Sequence, residues 1–431
     1  MFINERLAII DGVRTPFAKA GTDLKNLAAQ DLGQIAFAET VQRAGVEAKA
    51  IDEVIVGCVG QPAEAMNIAR VIALFCGLDE SIPAVTVHRN CASGMESITS
   101  GWEKIKGGAA KIILAGGTES MSNLPLMYGP QMTKLFADLM AAKSVMQRLA
   151  IMARFRPSFL KPIVSVMQGL TDPVSGMIMG DTAEMVAREF HLTRLEQDQY
   201  ALQSHQKACA AQAAGKFKDE IVPVPLPPKF EKTFSADNGP RATQSIEALQ
   251  KLKPYFDRKN GTVTVGNACP ITDGAAAVVI MKEQEAKERG LKPLGYLKSY
   301  AYAGLDPRRM GLGPVFATHK MLKQTGFRLK DFDLVEINEA FAAQVMGCMK
   351  AFASNDFAKN NLHDSFAVGD IDPAKLNVNG GAIAMGHPVG TTGTRLVITI
   401  LKEMARRKVQ HGLASLCIGG GQGAALHLER E

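Results

Sequence analysis

Four short segments of this chain pair a reactive or polar side chain with glycine-rich or turn-forming surroundings. In VHRNCASGMES, residues 87–97, Cys91 follows a β-branched run and precedes small residues and then a helical pattern. That order predicts a strand-to-helix turn at the sulfur. A helix N-terminus there favours a thiolate, and its free backbone N–H groups can receive an oxyanion. A buried structural cysteine is the competing reading. In NVNGGAIAMGHPVGTTGTRL, residues 377–396, glycines crowd around His387, which stands before a proline. Glycine turns admit a close-fitting ligand, and histidine is the usual base for a cysteine nucleophile. A phosphate loop with an incidental histidine is the alternative, although no P-loop or dinucleotide fingerprint accompanies it.

In LCIGGGQGAA, residues 416–425, Cys417 ends a strand and faces a glycine run. It reads either as an acid or base working on a substrate carbon or as a core cysteine at a strand end. In EINEAFAAQ, residues 336–344, Asn338 and Glu339 separate an apolar strand from an apolar helix. Asn338 either caps that helix or holds a water or substrate oxygen.

The elements that must position these residues alternate. Arg6–Ile10, Glu53–Val56 and Lys111–Leu114 read as buried strands, with helices over Gln34–Ala44 and Glu96–Lys106 between them. The last third repeats the plan: strand Phe332–Ile337, helix Ala340–Phe352, helix Thr394–Arg407 and strand Gly412–Ile418. The echo between residues 107–120 and 409–423, each a helix leading through a strand into glycines, suggests two related halves. A layered α/β fold with a largely parallel sheet follows. The proline-rich middle breaks the alternation. The expected division is therefore a first half of residues 1–119 plus 250–282, an inserted loop domain over 120–249, and a second half over 283–431. The first half is expected to resume through Lys251–Phe256 and the strand-like Thr262–Gly266 and Ala275–Met281.

Composition narrows the class. The chain has 431 residues, is 46% hydrophobic and 21% charged, and carries a formal net charge of +6. These values fit a folded globular protein. The charge is too mild for a nucleic-acid binder, and no matching motif is present, so nucleic acid is not an expected partner. The seven cysteines are odd in number and form no CxxC pair, so neither a disulfide framework nor a structural metal is expected. A reducing, cytoplasmic setting fits. The opening residues lack a basic region followed by an apolar core, and no apolar run is long enough to span a bilayer.

Taken together and in this order, the four segments resemble the thiolase superfamily: its nucleophile block, NEAF block, GHP block and C-terminal CxGGGxG block. The resemblance runs from Arg14-Thr15-Pro16-Phe17 to the end of the chain. It implies a fold of two similar βαβαβαββ halves in a five-layered arrangement with an inserted loop domain. It implies a ping-pong acyltransferase that cleaves 3-ketoacyl-CoA with CoA as a substrate, with no resident cofactor or metal. Cys91 is then the nucleophile, and His387 its proton acceptor. His387 and a water on Asn338 form one oxyanion hole, and the N–H groups of Cys91 and Gly419 form the second. Cys417 is the acid/base at the α-carbon.

For CoA the resemblance implies Arg241 near the nucleotide phosphates and the 261–277 block along the pantetheine arm. Cys269 stands where the family usually has serine. Met179 is expected to line the acyl pocket, and Ile178 stands where short-chain thiolases often have histidine. A degradative 3-ketoacyl-CoA thiolase is the expected activity. An acetoacetyl-CoA thiolase working in synthesis, and a non-catalytic acyl-CoA-binding scaffold, are the alternatives. Homodimers or dimers of dimers are usual in the family.

Residues 132–170 carry six cations against the single acid Asp138, interleaved with Met140, Met146, Met152, Phe155, Phe159 and Leu160. A basic amphipathic segment of this kind either meets a membrane surface or a partner, or packs its apolar side onto its own protein. It resembles the thiolase β-subunit of the trifunctional fatty-acid oxidation complex, which implies a hydratase/dehydrogenase α-subunit as partner and peripheral membrane contact. Asn338 departs from that subunit type, which usually has histidine there.

Overall fold

Residues 6–431 are described in the computed structural model; the first five residues of the expected first half lie outside it. The strand β1 (Leu7–Arg14) is nearly all apolar and buried, as a strand covered on both faces must be. With it in one large sheet lie β2 (Ala18–Lys19), β3 (Glu53–Gly57), β4 (Ala84–Val87), β5 (Ile112–Ser120), β6 (Thr272–Lys282), β7 (Gly295–Gly304), β8 (Leu334–Ile337), β9 (His411–Ile418) and β10 (Gln422–Glu429). The order across the sheet is β8-β9-β10-β7-β1-β6-β5-β3-β4, with β2 on β6.

The sheet is not the largely parallel one expected, since antiparallel pairs outnumber parallel ones, but two halves are visible in the pairing. β3 runs parallel to both β4 and β5, and β5 lies antiparallel to β6, which lies antiparallel to β1. In the second half β8 runs parallel to β9 and bridges in parallel to Leu376, while β9, β10 and β7 pair antiparallel. The halves join where Leu7–Ile9 of β1 pair with Gly295–Leu297 of β7.

Each half contributes one central helix, Ser93–Lys106 from the first and Thr392–Arg407 from the second. Met95, Ile98 and Trp102 of one share a hydrophobic cluster with Leu396, Val397 and Ile400 of the other and with strands of both halves. The second helix is buried along almost its whole length, Lys402 and Glu403 included. The close approach is made by glycine. A Cβ on Gly94 would stand 2.7 Å from Thr394 Oγ1 and 3.0 Å from the Gly390 carbonyl, and one on Gly393 would stand 2.5 Å from the Met95 nitrogen. Either substitution would drive the two helix ends apart.

Most expected elements form, although β1 and β5 run four and six residues further than expected and the helix expected from Gln34 begins five residues earlier, at Ala29. Thr262–Gly266 does not: it is irregular. Its β-branched alternation is overridden by the buried carboxylate of Glu184, which accepts the backbone N–H groups of Thr262 and Val263 that a strand would give to a neighbour. Lys251–Phe256, where the first half was expected to resume, is irregular too.

Residues 124–171 form a separate compact unit inside the span expected for the inserted domain. It holds a two-stranded pairing of Leu126–Tyr128 with Pro162–Val164 and two helices, Pro130–Ala141 and Val145–Met152. Ser144 caps the second helix by accepting the Gln147 N–H. Of the two helices only Met132 and Leu135 are buried, whereas Met140 is 88% exposed and Met146 75%. Asp138 is paired with Arg154 at 2.6 Å.

Candidate active site

Cys91 lies in the turn between β4 and the Ser93–Lys106 helix, as its flanking residues predict. The turn is locked from within. Ser93 Oγ donates to the Asn90 carbonyl at 2.7 Å, and the Arg89 N–H donates to Ser93 Oγ at 2.9 Å. Asn90, with φ of 44°, sends its amide to the Gly419 carbonyl at 2.7 Å. That bond ties the glycine run after β9 to the nucleophile turn. The backbone N–H groups of Gly419 and of Cys91 itself act to lower the thiol. Burial nevertheless raises the thiol above its ordinary value, with the nearby Glu119 charge adding to the rise. The helix N-terminus expected to yield a standing thiolate is thus outweighed by desolvation, and the resting group is a thiol that needs a base.

His387 is buried, and its neighbours define its role. Nδ1 lies 2.6 Å from Thr392 Oγ1, and that hydroxyl lies 3.0 Å from the Pro388 carbonyl. One hydroxyl proton serves one of these contacts. Given to Pro388, it leaves Thr392 to accept from Nδ1–H and puts the imidazole lone pair on Nε2. Nε2 itself is buried without a hydrogen-bond partner. Burial first, and then the Arg395 charge, depress the imidazole to about 3, so it is neutral and able to accept a proton.

Asn338 does not cap the following helix, which begins at Ala342 behind Phe341. Its backbone N–H continues the β8–β9 pairing by donating to Ser415 at 2.9 Å. Both side-chain amide atoms are buried and unpartnered. Such atoms are normally satisfied by water or ligand. Cys417 is next to last in the neighbouring strand β9 and is fully buried. Burial, and then the nearby sulfurs of Cys91, Cys348 and Cys269, push its thiol well above the ordinary range.

Cys269 is brought to the same place. Its N–H donates to the Ala340 carbonyl at 3.0 Å, and Ala268 bridges to Phe341. Its thiol is pushed up to about 12, by burial first and the neighbouring Cys91 second. Met179 begins the helix Met179–Glu189, and its sulfur stands 3.3 Å from where a Cβ on Gly419 would be. The fold thus gathers Cys91, Cys417, Cys269, Gly419 and Met179, with His387 and Asn338 delivered on the adjoining loop and strand end. Arg241 stays apart. It is exposed and lines a pocket with Lys19, His205, Gln244, Gly266 and Pro270, next to Cys269 in the chain. Burial and then the charges of Arg241 and Lys19 lower His205 to about 4.

Two buried carboxylates hold the loops: Glu119 escaped the sequence reading, and Glu339, noted there beside Asn338, was given no role. Glu119, at the end of β5, accepts from Val59 N–H at 3.1 Å, Gly60 at 2.7 Å and Gly390 at 2.8 Å. It thereby fastens the loop three residues beyond His387. Glu339, beside Asn338, accepts from Tyr200 and Asn377 at 3.1 Å, Ser204 at 2.5 Å and Ile383 at 3.2 Å. An acid inside an otherwise apolar buried strand was the available signal for Glu119. Among the described residues no group of three or more His, Cys, Asp and Glu could hold a metal ion, and no helix is long and apolar enough to cross a membrane.

Known proteins resemble this chain in sequence and fold over nearly its whole length. The family models "Thiolase, N-terminal domain" and "Thiolase, C-terminal domain" match residues 7–284 and 291–430. A 3-ketoacyl-CoA thiolase of Yersinia enterocolitica is 41% identical over 428 residues, covering 99% of this chain and 97% of that protein. One from Escherichia coli is 39% identical with the same coverage. Among solved structures, the Bacillus anthracis acetyl-CoA acetyltransferase matches with a TM-score of 0.87 and 37% identity, covering all of both chains. Human mitochondrial 3-ketoacyl-CoA thiolase matches with a TM-score of 0.85 and 36% identity, covering 99% of this chain and 98% of the other. This chain belongs to the thiolase family.

Proposed function

We propose that the chain is a 3-ketoacyl-CoA thiolase that cleaves its substrate with CoA through an acyl group held on Cys91. The observations that support this reading are that Cys91 lies close enough to Cys417 to raise its thiol, and that His387 and Asn338 each hold buried side-chain polar atoms with no protein partner. His387 Nε2 takes the Cys91 proton, and the sulfur attacks the 3-keto carbon. The N–H groups of Cys91 and Gly419 receive the oxyanion of the tetrahedral adduct. As the C2–C3 bond breaks, the electron pair moves onto acetyl-CoA as its enolate, whose oxygen is stabilised by protonated His387 and a water on Asn338. Cys417, a thiol with a raised pKa, delivers a proton to C2. CoA then takes the acyl group from Cys91, which makes the kinetics ping-pong. In this reading CoA enters past Arg241 and the 265–270 segment, and Met179 faces the acyl chain.

The degradative direction is supported by the 3-ketoacyl-CoA thiolase relatives and by Ile178. The match to an acetyl-CoA acetyltransferase supports the short-chain alternative. Thiolysis of acetoacetyl-CoA and 3-ketohexadecanoyl-CoA measured side by side decides between them. A higher kcat/KM for the long substrate is expected. Preference for acetoacetyl-CoA moves the assignment to the short-chain enzyme, and cleavage of neither removes it.

The insert carries a second expectation. Met140, Val145, Met146, Leu149 and Met152 are exposed among cations that outnumber acids six to one over residues 132–170. Each cation at an anionic lipid surface contributes about 1 kcal/mol. The protein should float with vesicles containing phosphatidylglycerol and leave them at about 0.5 M salt, where screening is nearly complete at contact distances. Equal flotation of a Met140→Asp/Met146→Asp variant, or none by the native chain, refutes lipid contact.

A further inference from the structure

One buried ion pair lies just behind the site with its hydrogen-bonding capacity almost unused. Arg395, on the Thr392–Arg407 helix, and Glu336, on β8, are both buried, and their closest approach is 3.5 Å, from Nη1 to Oε2. That is longer than a good charge-assisted hydrogen bond. Nε, Nη1 and Nη2 of Arg395, Oε2 of Glu336 and Oε2 of Glu220 are all buried without a partner. An ion pair retained for stability alone is poorly served by such geometry, because desolvation is then offset only in part.

Its placement suggests another use. Arg395 is one helical turn beyond Thr392, whose hydroxyl holds Nδ1 of His387. Glu336 is two residues before Asn338. The pair therefore spans the two elements that deliver the imidazole and the amide. After burial, the Arg395 charge is the influence that depresses His387.

We propose that the Glu336–Arg395 pair sets the basicity of His387: ionised Glu336 offsets the Arg395 charge and leaves the imidazole able to take the Cys91 proton, whereas protonated Glu336 exposes His387 to that charge in full. Both are positioning residues, acting through His387, and the inference rests on the reading of His387 as the base for Cys91. The groups that bear on Glu336 come from several elements. Burial dominates and raises it. Arg395 opposes, Glu339 and Glu220 raise it further, and Lys207 on the Arg194–Ala213 helix lowers it, leaving the carboxyl at about 8. Arg395 is faced by Glu336, Glu220 and Glu339 and by the like charge of Arg14 on β1. Arg14 is itself paired with Glu220 at 2.8 Å and Asp237 at 2.7 Å. The sign follows. Below about pH 8 Glu336 is protonated, His387 loses basicity, and Cys91 is deprotonated less readily.

The test is the rate at which iodoacetamide alkylates Cys91 as a function of pH, read by peptide mass so that the other cysteines do not contribute, and divided at each pH by the hydroxide concentration, which removes the rise that titration of the Cys91 thiol gives by itself below its raised pKa. The native enzyme should show a rise in reactivity centred near pH 8, of about tenfold if one pKa unit is restored to His387. Glu336→Gln should abolish that rise and hold Cys91 at its low-pH reactivity. Glu336→Asp should retain it. Arg395→Gln should abolish it at the high level instead. A purely structural role would scale the rate by one factor at every pH. Persistence of the rise in Glu336→Gln, movement of both charge-removing variants in the same direction, or a native profile without the rise overturns the proposal. Should Glu336→Gln fail to fold, the double variant Glu336→Gln/Arg395→Gln, which leaves no unpaired charge, must likewise show a flat profile at the high level. His387→Ala separates the two readings. Unchanged Cys91 reactivity in that variant defeats the base assignment, while loss of reactivity with a persistent rise in Glu336→Gln defeats only the charge-setting pair.

Discussion

Replacing Cys91 with alanine is expected to lower thiolysis by about 10⁴-fold or more, the scale on which removal of an enzyme nucleophile is felt. The loss is specific in kind. Native enzyme given a simple acyl-CoA without free CoA should gain the mass of one acyl group, and the variant should gain none. The position can lose its sulfur without disturbing the fold, because the turn is held by Ser93, Asn90 and Gly419 and not by the thiol. Substrate binding should survive, so the effect falls on kcat. Acyl mass still appearing on the Cys91→Ala protein would show that another residue, with the neighbouring Cys269 and Cys417 as candidates, carries the acyl group.

Cys417→Ala should separate the two halves of the reaction. Transfer of an acyl group from a simple acyl-CoA to Cys91 breaks no carbon–carbon bond and needs no proton at an α-carbon. That exchange should persist within a few-fold of native. Cleavage of a 3-ketoacyl-CoA releases an enolate that must be protonated, and it should fall by about 10²–10⁴-fold, the usual contribution of a positioned acid or base. The raised pKa of Cys417 suits it to this step in the cleavage direction, since it keeps the group protonated at neutral pH. Equal loss of both activities would assign Cys417 to packing around Cys91, because a packing defect has no reason to spare acyl exchange.

The catalytic groups were legible because each carries its chemistry in its own side chain and sits in a local pattern of glycines or a strand-to-helix change. The groups that aim them were not. Glu119 touches Gly390 across 271 residues of chain, and Asn377 reaches Glu339 across 38. Neither relation leaves a periodicity or a spacing. Thr392 reads as one threonine among several until His387 is placed against it. The strand expected at Thr262–Gly266 shows the reverse failure. A local β pattern was sound, but Glu184 had already taken its N–H groups. The state of Cys91 turned on burial, which sequence does not express, and burial outweighed the helix end. For the middle segment, prolines and charge mark where the alternation stops. Where the separate unit begins and ends, at residues 124 and 171, depends on three-dimensional contacts instead.

The position of β1 has a consequence for how the protein is made. β1 takes a central place in the sheet, and its partners, the strands Thr272–Lys282 and Gly295–Gly304, come far later in the chain. Roughly 270 further residues must be synthesised before either side of it can be paired, several tens of seconds at 5–20 residues per second on the slower side of that range. Through that interval a buried, apolar strand has no native edge to join, which is the circumstance that invites aggregation. Closure of the sheet around β1 is thus necessarily late relative to the synthesis of β1, and a nascent chain should depend on protection of that strand long after it has been made.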